Sequence, residues 1–101
     1  MRLTIIPIDL SVYKNGIARM PLDLTTCDIP SNVHALQWYE TWGEIEFVTD
    51  SLGNKPTNEK IVTLPDWANA CVVVWDNWQP PAPPSPSPLE NQPTTNGTQD
   101  L

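Results

Sequence analysis

The chain has 101 residues, 40% of them hydrophobic and 17% charged, and its 12 acidic against 5 basic side chains give a net charge of −7. This length predicts one domain with a modest core and little room for a deep substrate cavity. Nucleic acids and anionic membranes are bound by a cluster of basic residues. The net acidic charge and the scattered positions of the basic residues therefore argue against both as partners.

The start of the chain has the pattern of antiparallel strands. Residues 3–6 form a β-branched run that Pro7 ends or places at a sheet edge. Residues 12–14 and 17–19 flank Asn15-Gly16, a dipeptide typical of two-residue hairpin turns because both turn residues need a positive φ. We therefore expect a first hairpin here, followed by a loop over residues 22–30.

A second hairpin is predicted from residues 33–39 and 44–48, which are joined by a turn. Strict alternation along the first of these strands places His34 on the same face as Leu36 and Trp38. In the second strand, apolar residues alternate with glutamates, which is typical of a half-buried antiparallel strand with one solvated side. Residues 49–59 are rich in turn-forming residues and predict a surface loop.

One helix of about 12–14 residues is predicted to begin near Thr63, with the Thr63 hydroxyl as its N-cap and Pro65 in its first turn. Asp66 places an acidic side chain three residues after that cap, as at the start of many helices. The apolar residues of the helix recur every three or four positions and form one stripe. This stripe consists of Trp67, Ala70, Cys71, Val74, Trp75 and Trp78.

These elements predict an α+β domain over residues 1–78. We expect a small antiparallel sheet of about four strands, arranged as two hairpins and packed by one C-terminal amphipathic helix. Residues 79–101 contain seven of the twelve prolines and few apolar residues, which predicts a disordered proline-rich tail. The tail is interpreted as a spacer, with a P-x-x-P ligand for an aromatic groove as the alternative.

Residues that could support catalysis or bind a metal are few. His34 is the single histidine of the sequence, and the pair Glu44 and Glu46 resembles any solvated strand face as much as a glycosidase site. Cys27 and Cys71 are expected to be reduced and unpaired. We therefore predict no catalytic, cofactor-binding or metal-binding residues and a protein that is not an enzyme.

Five tryptophans in so short a chain are unusual. Because each indole can bury roughly 150–250 Å², most of them are expected in the core. Trp38, Trp42 and Trp78 are the candidate interaction residues. Trp42 in a turn and Trp78 at the helix end are the two most expected to be exposed. An exposed indole is suited to anchor a protein partner or to stack on a sugar ring.

The order of motifs resembles a group of small, mostly uncharacterised proteins of tailed bacteriophages that are encoded among tail-fibre and other structural genes. The resemblance covers residues 2–75, and its most specific piece is the run from His34 to Trp38. Its other motifs are Leu3-Thr4-Ile5-Ile6-Pro7, Val12-Tyr13 with Gly16, Ile29-Pro30, Gly43-x-Ile45-Glu46-Phe47 and Leu64-Pro65-x-Trp67.

This resemblance implies a minor virion component associated with the tail or its fibres, or a helper of tail-fibre assembly, and it brings no catalytic residues. The implied partner is a phage tail or fibre protein, with self-association left open. The implied location is the host cytoplasm during assembly, and also the virion. Two other functions are the alternatives to this role. One is a carbohydrate- or receptor-binding module that uses exposed tryptophans, and the other is a small acidic inhibitor of a host protein.

Overall fold

A computed structural model describes residues 1–80 and shows an antiparallel sheet with one helix, which confirms the α+β class. The strand order is β3-β2-β1-β4-β5-β6, so two three-stranded meanders are joined through the central pair β1 and β4. The elements are β1 (Arg2–Ile6), a 3₁₀ turn (Pro7–Asp9), β2 (Ser11–Lys14), β3 (Ile17–Arg19), β4 (Val33–Tyr39), β5 (Gly43–Phe47), β6 (Glu59–Ile61) and α1 (Asp66–Asn77).

The predicted number of about four strands in two hairpins is too small. Strand β6 begins at the last residue of the predicted loop and continues into residues for which no element is predicted. It pairs with β5 through Gly43–Ile61, Glu44–Lys60 and Ile45–Glu59. It has three residues, and its first two are exposed, so it has none of the apolar alternation that identifies a strand from sequence. The first hairpin turn was predicted correctly, since Asn15 and Gly16 have φ values of 51° and 83°.

The sheet has an inner face, which packs under the helix, and an open face toward solvent. Strand pairing places Ile5 beside both Val12 and Leu36, and Leu36 beside Ile45. These side chains form the centre of the inner face and are buried. The loop between β3 and β4 covers part of the same core with Leu22, Leu24 and Cys27. The core therefore lies between the sheet, this loop and α1.

A β-bulge changes the predicted pattern of strand β4. Val33 pairs with Phe47 and Ala35 with Glu46, so His34 is an extra residue without a partner on β5. The prediction that His34 shares a face with Leu36 and Trp38 is wrong, because the bulge leaves His34 exposed while those two are buried. The bulge also brings Val33 into the core.

The helix has the predicted length but a different start. Pro65 is the N-cap residue, in an extended conformation, and no side chain caps the helix, so the predicted Thr63 hydroxyl cap is wrong. The most buried helical residues are Ala68 and Cys71, and the larger side chains beside them are partly buried against the core. The buried stripe is thus centred on Ala68 and Cys71, whereas the prediction had left Ala68 out.

The predicted boundary at residue 78 falls just after α1, and the predicted tail lies from residue 81 onward outside the described residues. In residues 1–80, no helix has the length and apolar character needed to cross a membrane.

Candidate functional site

Polar and aromatic side chains of neighbouring strands lie side by side on the open face. Thr4 pairs with Tyr13 on one side and with Gln37 on the other, and Gln37 pairs in turn with Glu44. The Thr4 hydroxyl donates a 2.6 Å hydrogen bond to Oε1 of Gln37. Each of these four side chains is only partly buried, so this face is in contact with water.

Two rings and two cations form a row along one edge of the open face, at the end of the sheet where β1 begins. The ring centroids of Tyr39 and Trp42 are 4.8 Å apart, with 42° between the ring planes. The Arg2 guanidinium lies 5.5 Å from the Tyr39 centroid, and the Lys60 ammonium lies 5.3 Å from the Trp42 ring. We call these four residues the aromatic row. It crosses strands β1, β4 and β6 and the β4–β5 turn, in which Trp42 is 37% exposed.

A shallow pocket of about 160 Å³ adjoins the aromatic row. Its volume is well below the roughly 300–1,000 Å³ of pockets that enclose whole drug-sized ligands. Arg2 belongs both to the pocket and to the row, and among the lining residues it is the only one with a charge. The lining consists of Arg2, Leu3, Thr4, Tyr13, Gly16, Gln37 and Trp38.

The five cationic side chains of the chain differ in whether they are already paired. Lys14 bridges to Asp76 at 2.6 Å, Lys55 bridges to Glu46 at 2.8 Å, and Arg19 donates to a backbone carbonyl of α1. Over residues 1–80, the side-chain nitrogens of Arg2 and Lys60 have neither a salt bridge nor a hydrogen bond. Both unpaired cations therefore belong to the aromatic row.

The three candidate tryptophans lie in different environments. Trp42 lies on the open face, as described above. Trp38 is 8% exposed and its ring packs in the core beside Gly43, so this side chain offers little surface to a partner. Trp78 is partly buried against the core, with the Arg19 guanidinium 5.1 Å from its ring centroid. Of the three, Trp42 has the environment of a contact residue.

The residues considered for catalysis are not assembled into a reactive set. Glu46 and Glu44 lie on the open face, where they accept hydrogen bonds from Lys55 and Asn58 respectively. The hydrogen bond from Lys55 lowers the pKa of Glu46, whereas a general acid requires a raised pKa. His34 lies in the exposed bulge of β4. No group of three or more histidine, cysteine or carboxylate side chains in the described part of the chain could hold a metal ion.

Exposed apolar side chains occur at both ends of the sheet, and half of the large ones lie in the connections at the end opposite the aromatic row. The antiparallel order places the end of β1, the start of β2, the end of β3 and the end of β5 together there. Five of the ten large hydrophobic residues that are exposed in residues 1–80 belong to these connections, and we call this group the apolar end. Its members and their exposed fractions are Ile8 82%, Leu10 43%, Met20 47%, Val48 39% and Leu52 83%.

No protein-family model, curated protein or solved structure matches this chain. Sequence reasoning selected Trp42 but missed Arg2, Tyr39 and Lys60. Lys60 could not be placed beside Trp42 because strand β6 was not predicted. A signal for Arg2 and Tyr39 did exist: both lie in predicted strands or at their ends, on the face opposite the apolar residues.

Proposed function

We propose that this chain is a non-enzymatic interaction protein that binds a protein partner through the apolar end. The observation that carries the proposal is that five large aliphatic side chains are exposed in the connections at that end of the sheet, and two of them, Ile8 and Leu52, are more than four-fifths exposed. Single exposed apolar residues are common on monomers, whereas a cluster of them is typical of an interaction surface.

Burial of this surface contributes to the free energy of association. Complete burial of one large aliphatic side chain contributes about 1.5–3 kcal/mol. The exposed fractions of the five side chains together equal about three whole side chains, so their burial contributes roughly 4–9 kcal/mol. The cost of association, which is due mainly to lost translational and rotational freedom, is roughly 4–15 kcal/mol. Charged residues also lie at this end, with Asp9 beside Ile8 and Asp50 beside Leu52 in the sequence, and with the Lys55 ammonium paired to Glu46 near Val48.

For the partner, we propose a tail or tail-fibre protein of a tailed bacteriophage, with the chain either retained in the virion or released after fibre assembly. The support is the motif order described above, whose most specific run lies in strand β4 next to the central strand β1. His34, Glu44 and Glu46 do not form a reactive set of side chains, which agrees with a binding role rather than a catalytic one.

The test is co-expression of the tagged chain with the tail and fibre proteins encoded beside it, followed by affinity purification. We expect a fibre or tail protein to co-purify with the wild-type chain. The double variant Ile8→Ser/Leu52→Ser should reduce this recovery at least tenfold, since both side chains are more than four-fifths exposed and contribute little to the fold.

The matched control is Val62→Ser/Val73→Ser, which removes two exposed apolar side chains outside the apolar end. This control should bind as the wild type does. Mass spectrometry of purified virions then separates the two versions of the proposal. Absence from particles leaves the assembly role, and absence together with failed co-purification rejects the proposed partner.

A further inference from the structure

We propose that the pocket and the aromatic row together form a binding site for an oligosaccharide that contains a carboxylate-bearing sugar. This goes beyond the protein partner proposed above and uses the opposite end of the sheet. The inference depends on three features of the open face: the donors that line the pocket, the two unpaired cations, and the partly exposed indole beside them.

The pocket is rich in hydrogen-bond donors and free of carboxylates. Thr4 already donates to Oε1 of Gln37, which leaves the Gln37 amide NH₂ as a donor. The Tyr13 hydroxyl can also donate, and the Arg2 guanidinium adds a planar, permanently charged set of N–H groups. A ligand group that complements these donors must be an acceptor, and a carboxylate allows the bidentate contact that guanidinium groups favour.

The net charge of the protein favours binding of an anion at this site over the rest of the surface. A chain with a net charge of −7 repels anions over most of its surface, and three of its five cations are already engaged within the fold. An anion therefore finds unpaired positive charge at Arg2 and Lys60. Two carboxylates are near: Glu40 in the adjoining turn lies 4.0 Å from the chain amino group, and Glu44 accepts a hydrogen bond from Asn58.

The aromatic row supplies the apolar part of the site. Tyr39 connects the two parts, because both the Arg2 guanidinium and the Trp42 ring contact its ring. An indole that is 37% exposed offers a flat surface on which the C–H face of a neighbouring sugar ring can stack. The pocket holds one small ring, and the indole contacts the next.

An acidic peptide has the same charge but fits this face less well. Peptides that bind to sheets usually add a strand at an edge, where backbone N–H and C=O groups are unpaired. The pocket lies over β1, β2 and β4, which have paired strands on both sides. A peptide would be held there by side-chain contacts alone, whereas a sugar normally binds through its hydroxyls to side chains.

The test is isothermal titration calorimetry with tri-galacturonate and sialyllactose as acidic probes and with maltotriose and lactose as neutral ones. We expect at least one acidic probe to bind, both neutral probes to bind at least about tenfold more weakly, and the affinity to fall as salt is added. Arg2→Gln should weaken the acidic probe at least about tenfold, and Arg2→Lys should restore part of the loss.

Trp42→Ala should weaken the same probe several-fold, while Ile8→Ser/Leu52→Ser at the apolar end should leave it unchanged. This pair of variants also separates the present inference from the protein partner, because each surface serves as the control for the other. Equal binding of neutral and acidic probes, no effect of Arg2→Gln, or binding of a glutamate-rich peptide but of no saccharide would each overturn the proposal. So would the absence of binding at millimolar concentrations of every probe.

Discussion

Gly43 lies directly opposite Trp38 on the neighbouring strand, and the Trp38 ring occupies the space that a side chain at Gly43 would need. A Cβ atom there would lie 2.9 Å from Cε3 and 3.1 Å from Cα of Trp38, and it would also collide with the Gln37 carbonyl oxygen. Because two of these three atoms belong to the backbone, they cannot move aside cheaply. We expect Gly43→Ala to lower the free energy of unfolding by about 2 kcal/mol or more.

Urea denaturation measures this loss, and Gly53→Ala is the control. Gly53 has a φ of 84° with nothing within 4 Å of a Cβ, so its replacement carries only the conformational cost of a left-handed residue, about 1 kcal/mol. A Gly43→Ala variant as stable as the wild type would show that the Trp38 ring is packed differently.

Ser11 is a small polar residue at a buried position that would suit an apolar side chain. Its side chain is 1% exposed, and its hydroxyl finds no hydrogen-bond partner among the described residues. A buried hydroxyl without a partner destabilises the folded state. We therefore expect Ser11→Ala to raise the free energy of unfolding by about 1 kcal/mol.

Thermal unfolding should show this as an increase of roughly 4–8 °C, the shift that one kcal/mol produces in a domain of this size. The exposed Ser31 provides the control, since Ser31→Ala removes a hydroxyl that water already solvates. A decrease in stability for Ser11→Ala would mean that this hydroxyl is hydrogen-bonded in solution.

Strands whose apolar residues alternate are predicted correctly from the sequence. Strands that form only because they pack against a neighbouring strand are not predicted. The Asn15-Gly16 hairpin follows from local turn chemistry, and its position agrees with the structure. Strand β6 exists because β5 offers a free edge, and nothing within Glu59–Ile61 indicates a strand. The bulge at His34 likewise depends on its register with β5 and changes which residues face the core.

The end of helix α1 is fixed to the first meander by Arg19. Its guanidinium lies 3.7 Å from the Trp75 ring centroid and donates a 2.5 Å hydrogen bond to the Trp75 carbonyl oxygen. The Trp75 indole N–H donates in turn to the carbonyl oxygen of Ile17, at 3.1 Å. A cation is also favourable at this end of a helix, where unpaired carbonyl groups carry partial negative charge.

We expect Arg19→Ala to lower the free energy of unfolding by about 2 kcal/mol, because it removes both the cation–π contact and a charged hydrogen bond. Arg19→Lys should recover less than half of the loss, since an ammonium group cannot stack as a planar guanidinium does. Denaturation followed by tryptophan fluorescence gives both values. Arg2→Ala is the control: the Arg2 guanidinium lies over a surface ring, so an equal loss in this variant would contradict a special role for Arg19.

For the whole molecule, the pattern of apolar residues correctly predicts an α+β fold with one helix, while the candidate site could be predicted only in part. Trp42 stands out in the sequence because it lies in a turn. The aromatic row also requires Arg2 from the first strand and Lys60 from the last, and their proximity to Trp42 depends on the strand order. Strand order is set by long-range packing, which the alternation within single strands does not encode.

The core that joins helix, loop and sheet has one group that makes global stability depend on pH. Burial raises the pKa of the Cys71 thiol from 9.0 to about 12, and contact with Cys27 adds to the effect. The folded state therefore keeps this proton at pH values where the unfolded chain has lost it. Its contribution to stability is complete below pH 9 and decreases as the pH rises toward 12.

We expect the free energy of unfolding of the wild type to fall above pH 9 by on the order of 1 kcal/mol per pH unit because of this one thiol. Cys71→Ala removes the group, so the difference in stability between wild type and variant should shrink at the same rate as the pH rises. Urea titrations of both proteins at pH 8, 9, 10 and 11 measure that difference, because lysines and tyrosines titrate in both and cancel. A difference that stays constant over this range would mean that Cys71 ionises as readily in the folded protein as in the unfolded chain, and that water reaches the junction between helix and loop.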